Sequence, residues 1–508
     1  MSKGILRAGN GFRIPRRSFL YSAGAIMGSR LLSGCALKSG LTSNSTCQPT
    51  LGPCIANPQP VPAASTTPLS ITVSSATVGT VDSRYVGLSY DKNHLTYGLF
   101  TASNAALIAL CGLLGESVLR IGGNSVETTV WTPTGAGSTA GQVAPADINA
   151  LAAFAQATGW KVIYGVALAF STPVDAAAEV AYVANALGSN LLAIEIGNEP
   201  DDYTDSTDVT AGYPAWTYSE YLAEFKSFAS AILATTPSAP LAGPASGYSM
   251  TYFEGMAAAA VPGVSLLTQH YYRGSGASAT ADTMANLIAY PDTTLINSYL
   301  EEMQPAAAAA NLPWRMGETN SFYGQPQANT SNAHGAALWS LDHLFTMAQY
   351  GSTGANFHGG DDTTTGYSPI ASENGAIIGP RPLFYGIYFF ALAGTGTLLN
   401  TSVSTTTLNV SAYTVKNSSG GWNVVVVNKD ATNPLQVTLT MPSSLSAGSL
   451  SVLTNSGGLT ATSGSTIQGM SISNTGAINP SLNYTLTFSG DEVTFYVPAA
   501  SAVLAELS

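Results

Sequence analysis

The chain has 508 residues, 45% of them hydrophobic and 9% charged, with a formal net charge of −12. That length and apolar content suffice for a large core and exclude a disordered polymer; they favour one big domain with a smaller companion. The acidic balance repels nucleic acid and anionic membranes, which argues against non-specific polyanion binding as a role.

Residues 1–34 carry Lys3, Arg7, Arg13, Arg16, Arg17 and Arg30 and no acidic residue. Arg16-Arg17-Ser18-Phe19-Leu20 opens a weakly apolar run over 19–32, the pattern of a twin-arginine export signal. The run is too short to cross a bilayer as a stable helix, so the expectation is a leader and not a permanent anchor. Leu32-Ser33-Gly34-Cys35 resembles a bacterial lipobox, which predicts Cys35 as the lipidated first residue of the mature chain. An ordinary cleaved leader that leaves Cys35 incidental is the competing reading. Without the leader, 11 Lys and Arg face 29 Asp and Glu.

Residues 35–67 are rich in Ser, Thr, Pro, Gly and Asn and lack periodicity, which reads as a tether. Export to an oxidising compartment makes a Cys47–Cys54 disulfide the expected use of those two residues, whereas Cys111, in an Ala/Leu-rich run, reads as a buried apolar side chain. The five histidines and four cysteines show no zinc-ligand spacing, so neither a metal nor a cofactor is expected.

From 68 onward short β-branched runs alternate with helical stretches. The strands are expected at 85–91, 117–124, 161–168, 192–199, 240–244, 265–272, 313–320 and 354–360, with helices over 104–114, 145–158, 175–187, 219–234 and 333–350. Pro145 and Asp147 mark one helix start, and Gly159 and Gly188 mark two ends. Eight alternations over 68–395 predict an α/β fold of the (β/α)8 TIM-barrel type, with its site at the C-terminal strand ends. A doubly wound sheet is the alternative, but Arg120-Ile121-Gly122-Gly123-Asn124 lacks the spacing of a dinucleotide loop. Residues 396–508 switch to short alternating strands with Asn, Gly, Ser and Pro turns, which predicts an antiparallel β-sandwich that residues 69–73 could join.

Most strand ends carry little charge, which singles out two. Gly197-Asn198-Glu199-Pro200 ends the fourth strand and Gly317-Glu318-Thr319-Asn320 the seventh, and these ends face each other across a barrel mouth. Two carboxylates about 5 to 5.5 Å apart are what retaining glycoside hydrolysis needs, with Glu318 as nucleophile and Glu199 as general acid/base. Arg120, and Tyr271 or Tyr272, are placed to hold Glu318 ionised, while Asn198 would bind the sugar 2-hydroxyl. A lone glutamate at a strand end is usually a cap or an ion-pair member; the paired contexts argue for catalysis. Glu195 reads as a buried structural carboxylate, Asp201 and Asp202 as solvated, and Asp361 and Asp362 as turn residues in preference to cation ligands with His358.

At these residues, Val118-Leu119-Arg120-Ile121-Gly122-Gly123-Asn124, Gly197-Asn198-Glu199-Pro200, His270-Tyr271-Tyr272 and Gly317-Glu318-Thr319-Asn320, the chain resembles glycoside hydrolase family 79, the family of bacterial and fungal β-glucuronidases and of heparanase. The resemblance spans roughly 68–508. It implies a retaining, exo-acting β-glucuronidase with no cofactor, Glu199 as acid/base and Glu318 as nucleophile. It further implies that Tyr323, Gly324 and the tyrosines after His270 meet the sugar carboxylate, and that Asp91, Asn124 and His358 support substrate binding. Relatives often carry Glu where Asp91 stands and Trp on strand eight, where this chain reads Asn356-Phe357-His358. The low Lys and Arg count disfavours sulfated chains as substrates. A β-xylosidase or β-glucosidase on the same pair is the nearest rival, and a non-catalytic glycan-binding surface lipoprotein is the rival of another class. Sequence leaves the oligomeric state open.

Overall fold

The computed structural model describes residues 56–59, 65–203, 216–324, 326–360, 366–478 and 483–508. Cys35, Cys47, Cys54, Asp361 and Asp362, and with them the leader and most of the tether, lie outside the described residues.

Eight parallel strands close a barrel in chain order: Val86–Asp91, Val118–Gly122, Lys161–Val166, Leu191–Ile196, Leu241–Ser246, Val264–Gly274, Trp314–Phe322 and Ala355–Gly359, the last pairing with the first. They are strands one to eight below. Each falls within a few residues of its expected place, because runs such as Val-Ile-Tyr-Gly-Val suit a strand buried on both faces. The expected helices are Ala105–Leu113, Pro145–Thr158, Pro173–Leu187, Tyr218–Thr235 and His334–Gln349. Three of their starts are satisfied by side chains, one of them at the Pro145 and Asp147 start that the sequence marks. Asn104 accepts from Leu107 N, Thr172 from Asp175 N, and Asp147, two residues after Pro145, accepts from Ala144 N at 2.9 Å.

The barrel floor is plugged by Arg315, at the start of strand seven. Its guanidinium donates to Asn356 Oδ1 and to the carbonyls of Arg84, Thr353 and Tyr85 at 2.5 to 3.0 Å. Gly87 and Gly354 leave it room: a Cβ on Gly354 would collide with Nη1.

The remaining long strands form one curled sheet around a second core that includes Ile71, Val424, Val437, Leu439, Phe495 and Val503. The sheet differs from expectation in two ways. Thr67–Val81 is a 15-residue strand, far longer than 69–73; it pairs antiparallel with Gly396–Val403 and parallel with Leu435–Thr440, so the sheet is not purely antiparallel. The barrel proper therefore starts at Val86, not at 68. Part of the expected tether is also built into the sheet: Ala56–Pro58 pairs with Asn483–Thr485, and the Gln59 amide exchanges two hydrogen bonds with the Tyr496 backbone. Barrel and sheet share a buried polar joint, in which Asp342 of His334–Gln349 accepts from Lys429 Nζ, Ser411 and Tyr413. Cys111 is buried and free, as expected, and burial pushes its thiol pKa up.

Candidate active site

Glu318 lies inside strand seven with its carboxylate aimed at the barrel mouth, 6% exposed. Arg120 of strand two, fully buried, donates from Nη1 to Glu318 Oε2 at 2.7 Å, and Tyr272 of strand six donates to Oε1 at 2.7 Å. His358 of strand eight brings Nδ1 to 3.4 Å from Oε2. Burial alone would raise the Glu318 pKa, but the imidazoles of His358 and His270, the Arg120 guanidinium and the Tyr272 hydroxyl outweigh it and hold the carboxyl well below its usual range. Arg120 is itself a hub. Nε meets Glu195 Oε2 at 2.6 Å, Nη1 also reaches Ser89 Oγ, and Nη2 donates to Asn198 Oδ1 at 2.8 Å. Glycine at 122 is required here, since a Cβ would collide with the guanidinium carbon.

Glu199 follows strand four in a left-handed conformation, φ 48° and ψ 54°, ahead of Pro200. Such a conformation costs a non-glycine residue about 1 to 3 kcal/mol and persists only where neighbours enforce it. Here Glu199 N–H donates to Ala245 O at 2.9 Å, and the buried Asp201 carboxylate accepts from the backbone N–H groups of Gly247, Tyr248 and Ser249. Asp201 is thus a structural clamp, not the solvated residue expected; Asp202 is exposed. The turn leaves Glu199 partly exposed, with His270 Nδ1 2.8 Å from Oε1. One oxygen of Glu199, a nitrogen of His270 and one oxygen of Glu318 all lie within 4.8 Å of one another.

The tyrosine pair resolves unequally. Tyr272 faces Glu318, but Tyr271 points to the opposite face of strand six, where its hydroxyl donates to Asp292 at 2.7 Å and its ring stacks on His343. Tyr271 is therefore not part of the site. Asn198 Nδ2 donates to Asn124 Oδ1 at 3.1 Å, so Asn124 and Asn198 are held as a pair beside Glu199. Asp91, despite its short side chain, reaches the site's edge: it accepts from Ser125 N at 3.0 Å and lies 3.7 Å from His358 Nε2. Burial works to raise the Asp91 pKa and His358 and Ser125 lower it, with a net fall; His358, lowered by burial, is raised on balance by Glu318 and Asp91. Gly123, at φ 70°, is needed for this contact, because a Cβ would collide with Asp91 Oδ1. Tyr323 is exposed at the mouth, its ring edge-on to Tyr272 at a centroid distance of 5.9 Å, and Gly324 follows at φ 72°.

Three residues escape a sequence reading. In the sequence His270 is only a motif member, yet in the fold it is the hydrogen-bond partner of Glu199. Tyr367 packs beside both Tyr272 and His358. Glu127 accepts from Leu168 N, Ala169 N and the Tyr203 hydroxyl, and burial raises its pKa. Its position three residues after Asn124 is the signal that could have found it. A cleft of about 510 Å³ runs from Glu199 and Asn198 past Asn124 to Asp91 and Glu127.

The trio of Glu199, His270 and Glu318 has the spacing of a cation site. Its donor set argues against one: both Glu318 oxygens already accept hydrogen bonds, and the Arg120 guanidinium alongside repels a second cation. The arrangement suits proton transfer beside a fixed anion.

No protein-family model matches the chain. It is 25% identical over 319 residues to a β-glucuronidase of Aspergillus niger, covering 56% of this chain and 58% of that one. It is 27% identical over 219 residues to a β-glucuronidase of Neurospora crassa, covering 39% of each. The match thus spans about half the length of these relatives. Among solved structures, a 4-O-α-L-rhamnosyl-β-D-glucuronidase from Fusarium oxysporum superposes with a TM-score of 0.72 at 22% identity, covering 86% of this chain and all of that one, a likeness of fold. The two fungal β-glucuronidases bear out the likeness to glycoside hydrolase family 79 that the motifs of the barrel carry.

Proposed function

We propose that the chain is a glycoside hydrolase that cleaves terminal β-glucuronides with retention, Glu318 serving as nucleophile and Glu199 as acid/base. The observation that carries the reading is the carboxylate pair: oxygens within 4.8 Å, one carboxyl held ionised and the other partly exposed beside a histidine. So close an approach of the two carboxylates suits the short spacing of retaining enzymes better than the wider spacing of inverting ones. The similarity to named β-glucuronidases supports the sugar.

In the first step Glu318 forms a bond to the anomeric carbon as the bond to the leaving oxygen breaks, and Glu199 gives that oxygen its proton. His270 Nδ1, donating to the resulting Glu199 carboxylate, stabilises it until the second step. Glu199 then takes a proton from water, the water oxygen attacks the anomeric carbon, and Glu318 departs. Asn198, oriented by Arg120 and Asn124, binds the 2-hydroxyl through the transition state. The sugar carboxylate is assigned to the Tyr323 and Gly324 segment, because Asp91 at the end of strand one and Asp202 after strand four make that side of the mouth hostile to it.

An NMR time course on an aryl β-glucuronide, with the xyloside and glucoside alongside, tests substrate and stereochemistry together. β-Glucuronic acid should be the first-formed anomer; preference for a neutral sugar would sink the glucuronide reading, and α-first product the retaining one. Export by the twin-arginine route, with lipid on Cys35, belongs to the same proposal and rests on the leader motif. Mass analysis of the mature N-terminus from a bacterial host checks it: a Cys35 carrying no lipid would leave only an ordinary cleaved leader.

A further inference from the structure

Beneath the reacting pair lies an acid that the proposed mechanism does not use. Glu195 is fully buried in strand four, four residues before Glu199, and its Oε2 accepts from Arg120 Nε at 2.6 Å. The same guanidinium holds Glu318 with Nη1 and Asn198 with Nη2. One cation is therefore divided between two carboxylates and a sugar-binding amide. Among the described residues Glu195 Oε1 has no hydrogen-bond partner, and neither has the buried Thr268 Oγ1. Gly317, next to Glu318, opens the space between them: a Cβ there would lie 3.3 Å from Thr268 Cβ, 3.5 Å from Glu195 Oε1 and 3.6 Å from Arg120 Nε.

A purely structural ion pair has no need of a third member. Burying an arginine with one carboxylate already balances its charge, and a second buried carboxylate adds a desolvation cost that only a specific arrangement repays. We propose that Glu195 is a positioning residue for the nucleophile: it fixes the Arg120 fork and, by drawing on its charge, limits how far the guanidinium quenches Glu318. This rests on the proposed role of Glu318. Without the counter-charge Arg120 would bind Glu318 more tightly, leaving a weaker base and a poorer nucleophile. The charged and titratable groups facing Glu318 are Arg120 from strand two, Glu199 from strand four, His270 and Tyr272 from strand six, and His358 from strand eight with Asp91 behind it. Glu195 is faced by Arg120 and, from helix Tyr218–Thr235, by Tyr221. None of the others duplicates its contact with Arg120 Nε.

The test is Glu195→Gln, of nearly the same shape without the charge, compared with Glu195→Asp, which keeps the charge but shortens the reach. On an aryl β-glucuronide, Glu195→Gln should move the acidic limb of the kcat/KM profile down by about half a pH unit to one unit. It should also lower plateau kcat about tenfold and leave KM within about twofold. Glu195→Asp should keep the limb in place and lose kcat. A uniform loss at every pH in folded Glu195→Gln protein, with the limb unmoved, would reduce Glu195 to a structural ion pair and overturn the proposal. Should Glu195→Gln not fold, wild-type kcat in Glu195→Asp overturns it equally. The Glu318 carboxyl signal in protein labelled with 13C at glutamate carboxyls, assigned by its loss in Glu318→Gln, reads the same shift without substrate. A wild-type enzyme inactive on the glucuronide would therefore sink the functional reading and still leave this one decided.

Discussion

The two ends of the barrel each bury an arginine, and they treat it in opposite ways. At the floor, Arg315 is surrounded by carbonyl oxygens and the Asn356 side chain, and burial disfavours its charge. At the mouth, Arg120 is equally buried but meets Glu195 and Glu318, which on balance raise its pKa. Glycines make room for both: Gly87 and Gly354 below, Gly122 above. Carbonyl dipoles can solvate a guanidinium without sharing a proton or changing charge, so the floor is a device for closure. Carboxylates share charge with it, so any change in one is felt by the others. Under the proposed function, buried cations of one kind thus mark stability at one end and chemistry at the other, in keeping with the polarity of the (β/α)8 fold.

That contrast can be broken first at its centre. Glu318→Gln should lower kcat by about 10⁴-fold or more, measured on an aryl β-glucuronide; a variant retaining wild-type turnover would remove Glu318 as nucleophile. Exchanging each arginine for lysine compares the two ends directly. Arg120→Lys loses the fork that reaches four partners and should lower kcat by about 10²- to 10³-fold. Arg315→Lys should cost about 2 to 4 kcal/mol in denaturant unfolding, from carbonyls left unpaired, while kcat per folded molecule stays within about twofold. Equal activity losses in both would erase the distinction. Within one dipeptide the same split recurs. Tyr272→Phe removes a hydrogen bond to a charged carboxylate and should lower kcat about 10- to 100-fold, whereas Tyr271→Phe should cost only about 1 to 2 kcal/mol of stability.

The smallest effect is read in acid. Glu318 and Asp91 have folded pKa values below their unfolded ones, so they stabilise the fold above about pH 4 and that contribution fades as pH falls through the folded values. His334 is held down to about 4 by burial at the joint with the sheet, where Nδ1 meets Ser465 Oγ and Nε2 meets Ala500 O. Its neutral form supports folding above about pH 6.5, and that support is lost as pH falls from there toward 4. Unfolding free energy should therefore decline in two windows. His334→Gln should make the upper slope shallower and leave the lower, the remainder coming from His343, which burial holds down to about 3; an unchanged upper slope would refute the assignment.

Much of this contrast is legible in the sequence, and the parts that are not have physical causes. The eight strands are visible because apolar, β-branched runs bounded by Gly and Pro report local preference. The two glutamates stand out because other strand ends carry little charge. Tyr271 and Tyr272 cannot be separated, since the middle of strand six is buried on both faces and no alternation of polarity marks the inward one. Asp201 looks solvated because its partners, Gly247 to Ser249, begin 46 residues on. Glu195 is recognisable as buried, but its link to Glu318 runs through an arginine 75 residues earlier. The short strand at Ala56–Pro58 has no local pattern; its place depends on Asn483–Thr485 and on Tyr496, which lies 437 residues from Gln59.

The sheet beside the barrel carries a further consequence. Its strand Thr67–Val81 precedes the whole barrel, yet it hydrogen-bonds to Gly396–Val403 and Leu435–Thr440. Ser501–Leu507, made far later in the chain, lies between Trp422–Asn428 and Gly448–Thr454. The sheet cannot close while that strand is still in the ribosome, and the earliest strand must wait for partners that follow the barrel. Completion of the sheet therefore trails synthesis of the barrel strands, with the slow, long-range closure that such pairing imposes.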